Sequence, residues 1–139
     1  METNKKLAEI FDIYKANKNF DSSLDKFVSE IVPIKNEKDP SWEMNAQNLL
    51  KAVALSLLQN DKITKDTFTI AEIKRLCELG KIDSVNAFKE NNTKQTRLIE
   101  YFRNQSQECR ELADSVVSNS HNTTMNILCQ LYTYLVRVK

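Results

Sequence analysis

Glycine and proline are almost absent from this chain, and their scarcity constrains the fold more than any other feature of the sequence. There are one glycine and two prolines among 139 residues. Tight hairpins, β-bulges and most phosphate-binding loops depend on glycine, because glycine adopts positive φ angles without steric cost. The interior of a long α-helix needs neither residue. The sequence therefore predicts an all-α protein.

The size and composition are those of one ordinary globular domain. The chain is 41% hydrophobic and 28% charged, and its length suits a single hydrophobic core. It has no apolar run of the roughly 18 residues that a bilayer span needs, and its first residues do not resemble a signal peptide. Its three cysteines are odd in number and widely spaced, which favours a reducing compartment over a disulfide framework. We therefore expect a single cytoplasmic domain.

Apolar residues recur at intervals of three and four along most of the chain, which is the spacing of amphipathic helices. The pattern predicts a compact bundle of about six to seven helices around a central apolar helix at about residues 40–59. Asp39 is expected to cap that helix, with Pro40 at the first helical position, where the missing N–H costs nothing. Apolar side chains cover nearly its whole circumference, so we expect it to be buried.

Other boundaries are marked by breaking and capping residues. Pro33 is expected to end the second helix, and Thr69 with Glu72 matches a capping box. The polar sequence from residue 93 to about residue 117 predicts one long helix.

The one glycine, Gly80, does not belong to a phosphate-binding loop. The pair Gly80-Lys81 would need another glycine where Arg75 stands, and Ser or Thr where Ile82 stands, to form a phosphate-binding P-loop. Without those backbone N–H groups, a lone Gly-Lys pair has no special affinity for phosphate. We predict no nucleotide hydrolysis by this chain and no cofactor.

The cysteines and the single histidine form no recognisable metal or nucleophile motif. Cys77, Cys109, Cys129 and His121 would supply the atoms of a zinc site, but no two lie within four residues of each other. We interpret the cysteines as small buried hydrophobic residues and His121 as a polar residue near a helix N-terminus. The sequence therefore predicts a protein without catalytic residues or a metal.

Charge gives no general preference for nucleic acid. The formal net charge is +1, from 20 basic and 19 acidic residues, whereas proteins that neutralise many phosphates usually carry a basic surplus. Arg103 and Arg110 would lie two turns apart on the predicted polar helix and share a face. Such a face suits a phosphate or an acidic protein tail, but the interleaved glutamates favour a plain solvated surface.

Trp42 is the only tryptophan, and it lies in the first turn of the predicted central helix. One interpretation is an anchor in the core or at its rim. The other is a contact with a neighbouring domain, since tryptophan is enriched in interface hot spots.

The residues around Trp42 also carry a family resemblance. Residues 38–52 read KDPSWEMNAQNLLKA. They resemble a segment of the type IV secretion coupling proteins, the TraG/TraD-like ATPases of bacterial conjugation, in which Asp-Pro, aromatic and acidic residues precede Ala, Leu-Leu and an apolar helix. Residues 24–33 look like the helix before that motif, and residues 120–124 are similar to the element that returns to the motor domain. Ser41 stands where the family usually has a second aromatic, and residues 1–20 have no counterpart.

The resemblance implies a role in choosing what is secreted. In that family an all-α domain projects from the nucleotide-binding domain between its two Walker motifs, which this chain lacks. The implied partners are a relaxase or a relaxosome accessory protein, single-stranded DNA and the parent ATPase domain. Contact with the membrane would occur only through the parent protein, at its cytoplasmic face. Residues 21–139 would form the recognition domain, a monomer in isolation, preceded by a helical segment over residues 1–20.

The same resemblance implies where the partners bind. Trp42 would face the motor domain, and the cargo would bind residues remote from it. The candidate partner-binding residues are Lys81, Asp83, Lys89, Glu90, Arg97, Arg103 and Arg110.

Two alternatives stay open at this stage. A free-standing helical adaptor or regulator would be stable without a parent ATPase and would expose an apolar groove. A direct DNA-binding domain would bring its basic residues together and would bind DNA less tightly as salt is added.

Overall fold

The protein is an all-helical bundle, as the sequence predicts. The computed structural model describes residues 2–17, 22–35, 38–78, 97–117 and 121–138, with only the backbone described at 2, 17, 97–99, 115–117 and 121–126. All regular structure within these five ranges is helical, with no strand. The helices are α1 (Glu2–Asn17), α2 (Ser22–Ile31), α3 (Ser41–Leu58), α4 (residues 70–78), α5 (Arg97–Arg103), α6 (Gln107–Val117) and α7 (His121–Val136). One hydrophobic cluster contains side chains from all seven.

Helix α3 is the centre of the bundle. All of its residues from 52 to 58 are buried, and α1, α2, α6 and α7 pack around it. The one polar side chain in that run, Ser56, is satisfied because its hydroxyl donates to the Val53 carbonyl at 2.7 Å. Each fully buried leucine in this helix stabilises the fold by about 1.5–3 kcal/mol. The prediction of a central, buried apolar helix is confirmed.

Helix α3 begins one residue later than the sequence predicts. The Met44 N–H donates to the Pro40 carbonyl at 2.9 Å, so Pro40 is the N-cap and Ser41 is the first helical residue. Proline has no side-chain acceptor for the free N–H groups of the first turn. The Asp39 carboxylate takes part of that role, since Oδ1 accepts the Ser41 hydroxyl at 2.7 Å and its N–H at 3.4 Å.

Helix α2 runs antiparallel to α3. Gln47 donates its side-chain amide to the Val32 carbonyl just after α2 at 2.7 Å, and Lys51 pairs with Asp25 near the start of α2 at 2.6 Å. The helix ends at Ile31, as predicted from Pro33.

Helix α6 also runs antiparallel to α3 but is shorter. The Ser106 hydroxyl, just before α6, donates at 2.7 Å to the side-chain carbonyl of Gln59, just after α3. At 1.5 Å per residue, the 18 residues of α3 span about 27 Å and the 11 of α6 about 16 Å. The N-terminal turn of α3 therefore extends beyond the end of α6.

The prediction of one long polar helix up to residue 117 is wrong at residues 104–106. Ser106 starts a new helix, because its hydroxyl accepts the Cys109 N–H at 3.3 Å and its carbonyl accepts the Arg110 N–H at 3.0 Å. The amides of Asn104 and Gln105 donate back to carbonyls of α5 at 3.2 and 3.3 Å. Side chains of this type compete with the helical backbone bonds and end a helix.

Helix α1 is part of the same core. Leu7 and Ile10 are buried within the hydrophobic cluster. The side-chain oxygen of Asn4 accepts the Ile70 N–H at the start of α4 at 3.0 Å, and Lys15 donates to the Leu58 carbonyl at the end of α3 at 3.0 Å. The segment without a counterpart in the resemblance thus supports two other helices.

At the start of α4, one of the two hydrogen bonds of the predicted capping box is present. The Thr69 hydroxyl accepts the Glu72 N–H at 3.3 Å, as predicted. The Glu72 carboxylate pairs with Arg75 one turn later.

We expect Leu7→Ala to lower the free energy of unfolding by about 2–5 kcal/mol, because it leaves a cavity where α1 meets the core. Urea denaturation measures this cost. The matched control is Lys5→Ala on the exposed side of α1, which should change stability by no more than about 0.5 kcal/mol. A cost for Leu7→Ala as small as that of the control would contradict the role given to α1.

Candidate functional site

Three of the four exposed large apolar side chains in the described ranges lie in or just before the first turn of α3. Among the described residues, four large apolar side chains are exposed: Ile34 at 42%, Trp42 at 38%, Met44 at 48% and Val136 at 54%. The first three belong to the first turn of α3 and the linker before it. We call these three residues the Trp42 surface.

Trp42 is exposed although its position on the helix points towards the core. It precedes Ala46, Leu49 and Val53 on one face of α3, and those three side chains are 0% exposed. Trp42 lies in the first turn of α3 and is 38% exposed, so this apolar face of the helix reaches solvent at its N-terminal end. Trp42 is therefore at the rim, which is compatible with both interpretations of it from the sequence.

A buried carboxylate lies beside Trp42 in the same helical turn. Glu43 is only 9% exposed, and its Oε2 has no hydrogen-bond partner in the part of the chain that the structure describes. A carboxylate in the first turn is favoured by the helix dipole. That interaction does not replace the hydrogen bonds that the oxygen loses on leaving water.

The one described pocket lies elsewhere, between α1 and α2. It has a volume of about 230 Å³. Its floor includes Ile10 and Phe27, which are 5% and 3% exposed, and Lys6 pairs with Glu30 at its edge at 2.8 Å. The hydrogen bond from Lys6 lowers the pKa of Glu30. Two of the apolar residues that line the pocket are therefore buried, and two of its four charged lining residues are paired with each other.

The predicted partner-binding arginines do not share a helix. Arg103 ends α5 and Arg110 lies in α6, both with exposed side chains. Lys81, Asp83, Lys89 and Glu90 lie outside the described residues, as does the side chain of Arg97. The shared face predicted for positions 103 and 110 on one helix is thus wrong, because Ser106 separates them.

Other charged side chains on α4 and α6 either match the prediction of a solvated surface or are used internally. Glu108 and Glu111 are exposed, as expected of ordinary helix-surface residues. Lys74 donates to the Val138 carbonyl at 3.0 Å, and Arg75 is paired with Glu72.

The cysteines behave as predicted in two of three cases. Cys77 and Cys109 are buried, whereas Cys129 is exposed, contrary to the prediction. Burial raises the pKa of the Cys77 thiol to about 12 and also raises the pKa of Cys109. Neither is therefore a thiolate near neutral pH.

The described part of the chain offers neither a metal-ligand cluster nor a membrane-spanning helix. Among its described residues, no three His, Cys, Asp or Glu side chains could together hold a metal ion. His121 is the first residue of α7, but its side chain is not described. No helix in the described ranges is long and apolar enough to cross a membrane.

Comparison with known proteins gives no family. No protein-family model matches the chain, and neither a curated protein nor a solved structure does. The resemblance to coupling proteins therefore stays a prediction, carried mainly by residues 38–52.

We expect a maleimide to label one of the three cysteines rapidly in the folded protein at pH 7.5, because Cys129 alone is exposed. Mass spectrometry would count the labels, and denaturant should raise the number to three. Cys129→Ser should remove the rapid label. Rapid labelling of Cys77 or Cys109 in the folded state would contradict the burial that raises their pKa values.

Proposed function

We propose that this chain is a non-enzymatic helical domain that docks other proteins, and that it serves as the substrate-recognition domain of a type IV secretion coupling protein. The observation that carries the docking role is the Trp42 surface. It places three exposed apolar side chains in or just before one helical turn, and exposed apolar area is a feature of interaction sites.

The composition of the Trp42 surface supports protein docking. Tryptophan and methionine are enriched at protein interfaces, and tryptophan is over-represented among the residues that dominate binding energy. Trp42 is held on a rigid element, since α3 is anchored in the core by its buried residues 52–58. A side chain positioned before binding loses less conformational entropy on docking than one in a loop.

The coupling-protein identity rests on the resemblance of residues 38–52. Trp42, the aromatic residue of that motif, is also the exposed one. This agrees with its proposed place against the motor domain of a parent ATPase at the cytoplasmic side of the membrane. A relaxase or accessory protein, and single-stranded DNA, would then bind the polar surface that includes Arg103 and Arg110.

The test is binding of the purified chain to the relaxase and, separately, to the motor domain of the coupling ATPase from the same genome. Co-elution and titration would be performed at about 50 and about 200 mM salt, with and without single-stranded DNA. Relaxase binding that survives the higher salt supports protein recognition. Binding that requires single-stranded DNA and weakens steeply at the higher salt supports direct DNA binding instead. Binding to neither protein nor DNA rejects the coupling-protein role and favours a free-standing adaptor.

We expect Trp42→Ala to weaken binding to the motor domain by at least about 2 kcal/mol, or roughly 30-fold, as for a central interface residue. Its effect on the free energy of unfolding should be smaller, because the side chain is already 38% exposed. Isothermal titration calorimetry and urea denaturation measure the two quantities.

Val136→Ala is the matched control, since it removes an exposed apolar side chain from α7. It should leave motor-domain binding unchanged. Equal affinities of Trp42→Ala and the unaltered protein would show that the Trp42 surface is not the interface.

A further inference from the structure

We propose that the Trp42 surface receives a partner segment carrying a single arginine, whose guanidinium pairs with the carboxylate of Glu43 while neighbouring apolar side chains pack on Trp42. This inference rests on the proposed function, because it assigns a chemistry to the same docking surface.

The unpaired state of Glu43 follows from the proline at the N-cap. Glu43 is the third residue of α3, the position from which a glutamate usually accepts the N–H of the N-cap residue in a capping box. Here the N-cap is Pro40, which has no N–H. The hydroxyl and N–H of Ser41 are both directed to Asp39. The local sequence therefore removes the donors that would normally satisfy this carboxylate.

The nearest side-chain donor along the same helical face is also in use. Gln47 follows Glu43 by one turn, and its amide donates to the Val32 carbonyl at 2.7 Å. Because Oε2 of Glu43 has no partner in the described ranges, it is a strong acceptor left without a hydrogen bond. A buried carboxylate oxygen of this kind is costly, and a partner that brings a donor would recover part of that cost.

Arginine fits this position better than other donors. Its planar guanidinium pairs with a carboxylate through two parallel hydrogen bonds and stacks on an aromatic ring such as that of Trp42. A run of basic residues fits less well, because Lys35 and Lys38 are exposed on the linker that enters α3 and would repel it. The expected ligand is therefore one arginine among apolar residues. Pairing requires Glu43 to change rotamer, since Oε2 is buried.

The experiment uses three capped peptides and the full chain. The peptides are Leu-Ala-Arg-Ala-Leu, the same sequence with glutamine at the centre, and a version with three consecutive arginines. Trp42 is the only tryptophan, so its fluorescence reports binding at the proposed surface directly. We expect the single-arginine peptide to bind about tenfold more tightly than the glutamine peptide, and the three-arginine peptide to bind no better.

The variant Glu43→Gln should abolish the preference for arginine, so that the single-arginine peptide and the glutamine peptide bind with nearly equal affinity. Glu9→Gln is the control, since it removes an exposed carboxylate from α1, and it should keep the preference. In urea, Glu43→Gln should be as stable as the unaltered protein or more stable, because Oε2 makes no bond that the substitution breaks.

Three results would each overturn the inference: no binding of the arginine peptide, equal affinity for arginine and glutamine peptides, or an unchanged preference in Glu43→Gln. Marked destabilisation by Glu43→Gln would do so as well, because it would reveal an internal partner. The proposed function is tested separately by Trp42→Ala against the motor domain. If Trp42→Ala loses binding to the motor domain while Glu43→Gln retains it, the docking role stands and the arginine inference fails.

Discussion

Residues 52–58 of α3 are buried on every side, and a helix of this kind has to be surrounded by others. Its burial explains why α1, α2, α6 and α7 all pack against it and why each of them needs only one apolar face. The contacts at its C-terminal end are polar and specific: Lys15 donates to the Leu58 carbonyl, and Gln59 accepts the Ser106 hydroxyl. Apolar burial supplies most of the stabilisation, while these hydrogen bonds satisfy groups that the helix end would otherwise leave unpaired.

The two ends of α3 differ in how far they are covered. At the C-terminal end, α6 begins beside Gln59 and the Tyr101 hydroxyl reaches Ser56 at 2.7 Å. At the N-terminal end, the core-facing position at Trp42 is partly exposed to solvent. The buried part of Trp42 contributes to packing at the rim of the core, and its exposed part is the part available for the docking proposed above.

The sequence predicts the fold well because its strongest signal is local. Glycine scarcity and helical periodicity depend on residues close in the chain, so the helical class, the central position of α3 and the end of α2 before Pro33 follow from them. The break at Ser106 was missed because serine is tolerated inside helices, whereas here its hydroxyl caps α6 and also bonds to Gln59, far away in sequence. The exposure of Cys129 was missed for a similar reason, since it depends on where α7 lies against the bundle. Trp42 was identified as a candidate, but its exposure depends on how the other helices pack around the N-terminal end of α3.

At Glu43, two local preferences for the start of a helix conflict with each other. Sequence reasoning judges an acidic residue in a first helical turn to be favourable, and it judges proline at a helix start to be favourable too. The two preferences conflict when the proline becomes the N-cap, because the glutamate three residues later then lacks its donor. Local rules are most often broken where function requires it, and here the break coincides with the most exposed aromatic side chain of α3. A carboxylate oxygen that the fold leaves without a partner lies beside a partly exposed tryptophan. One partner segment with an arginine and apolar side chains would satisfy both.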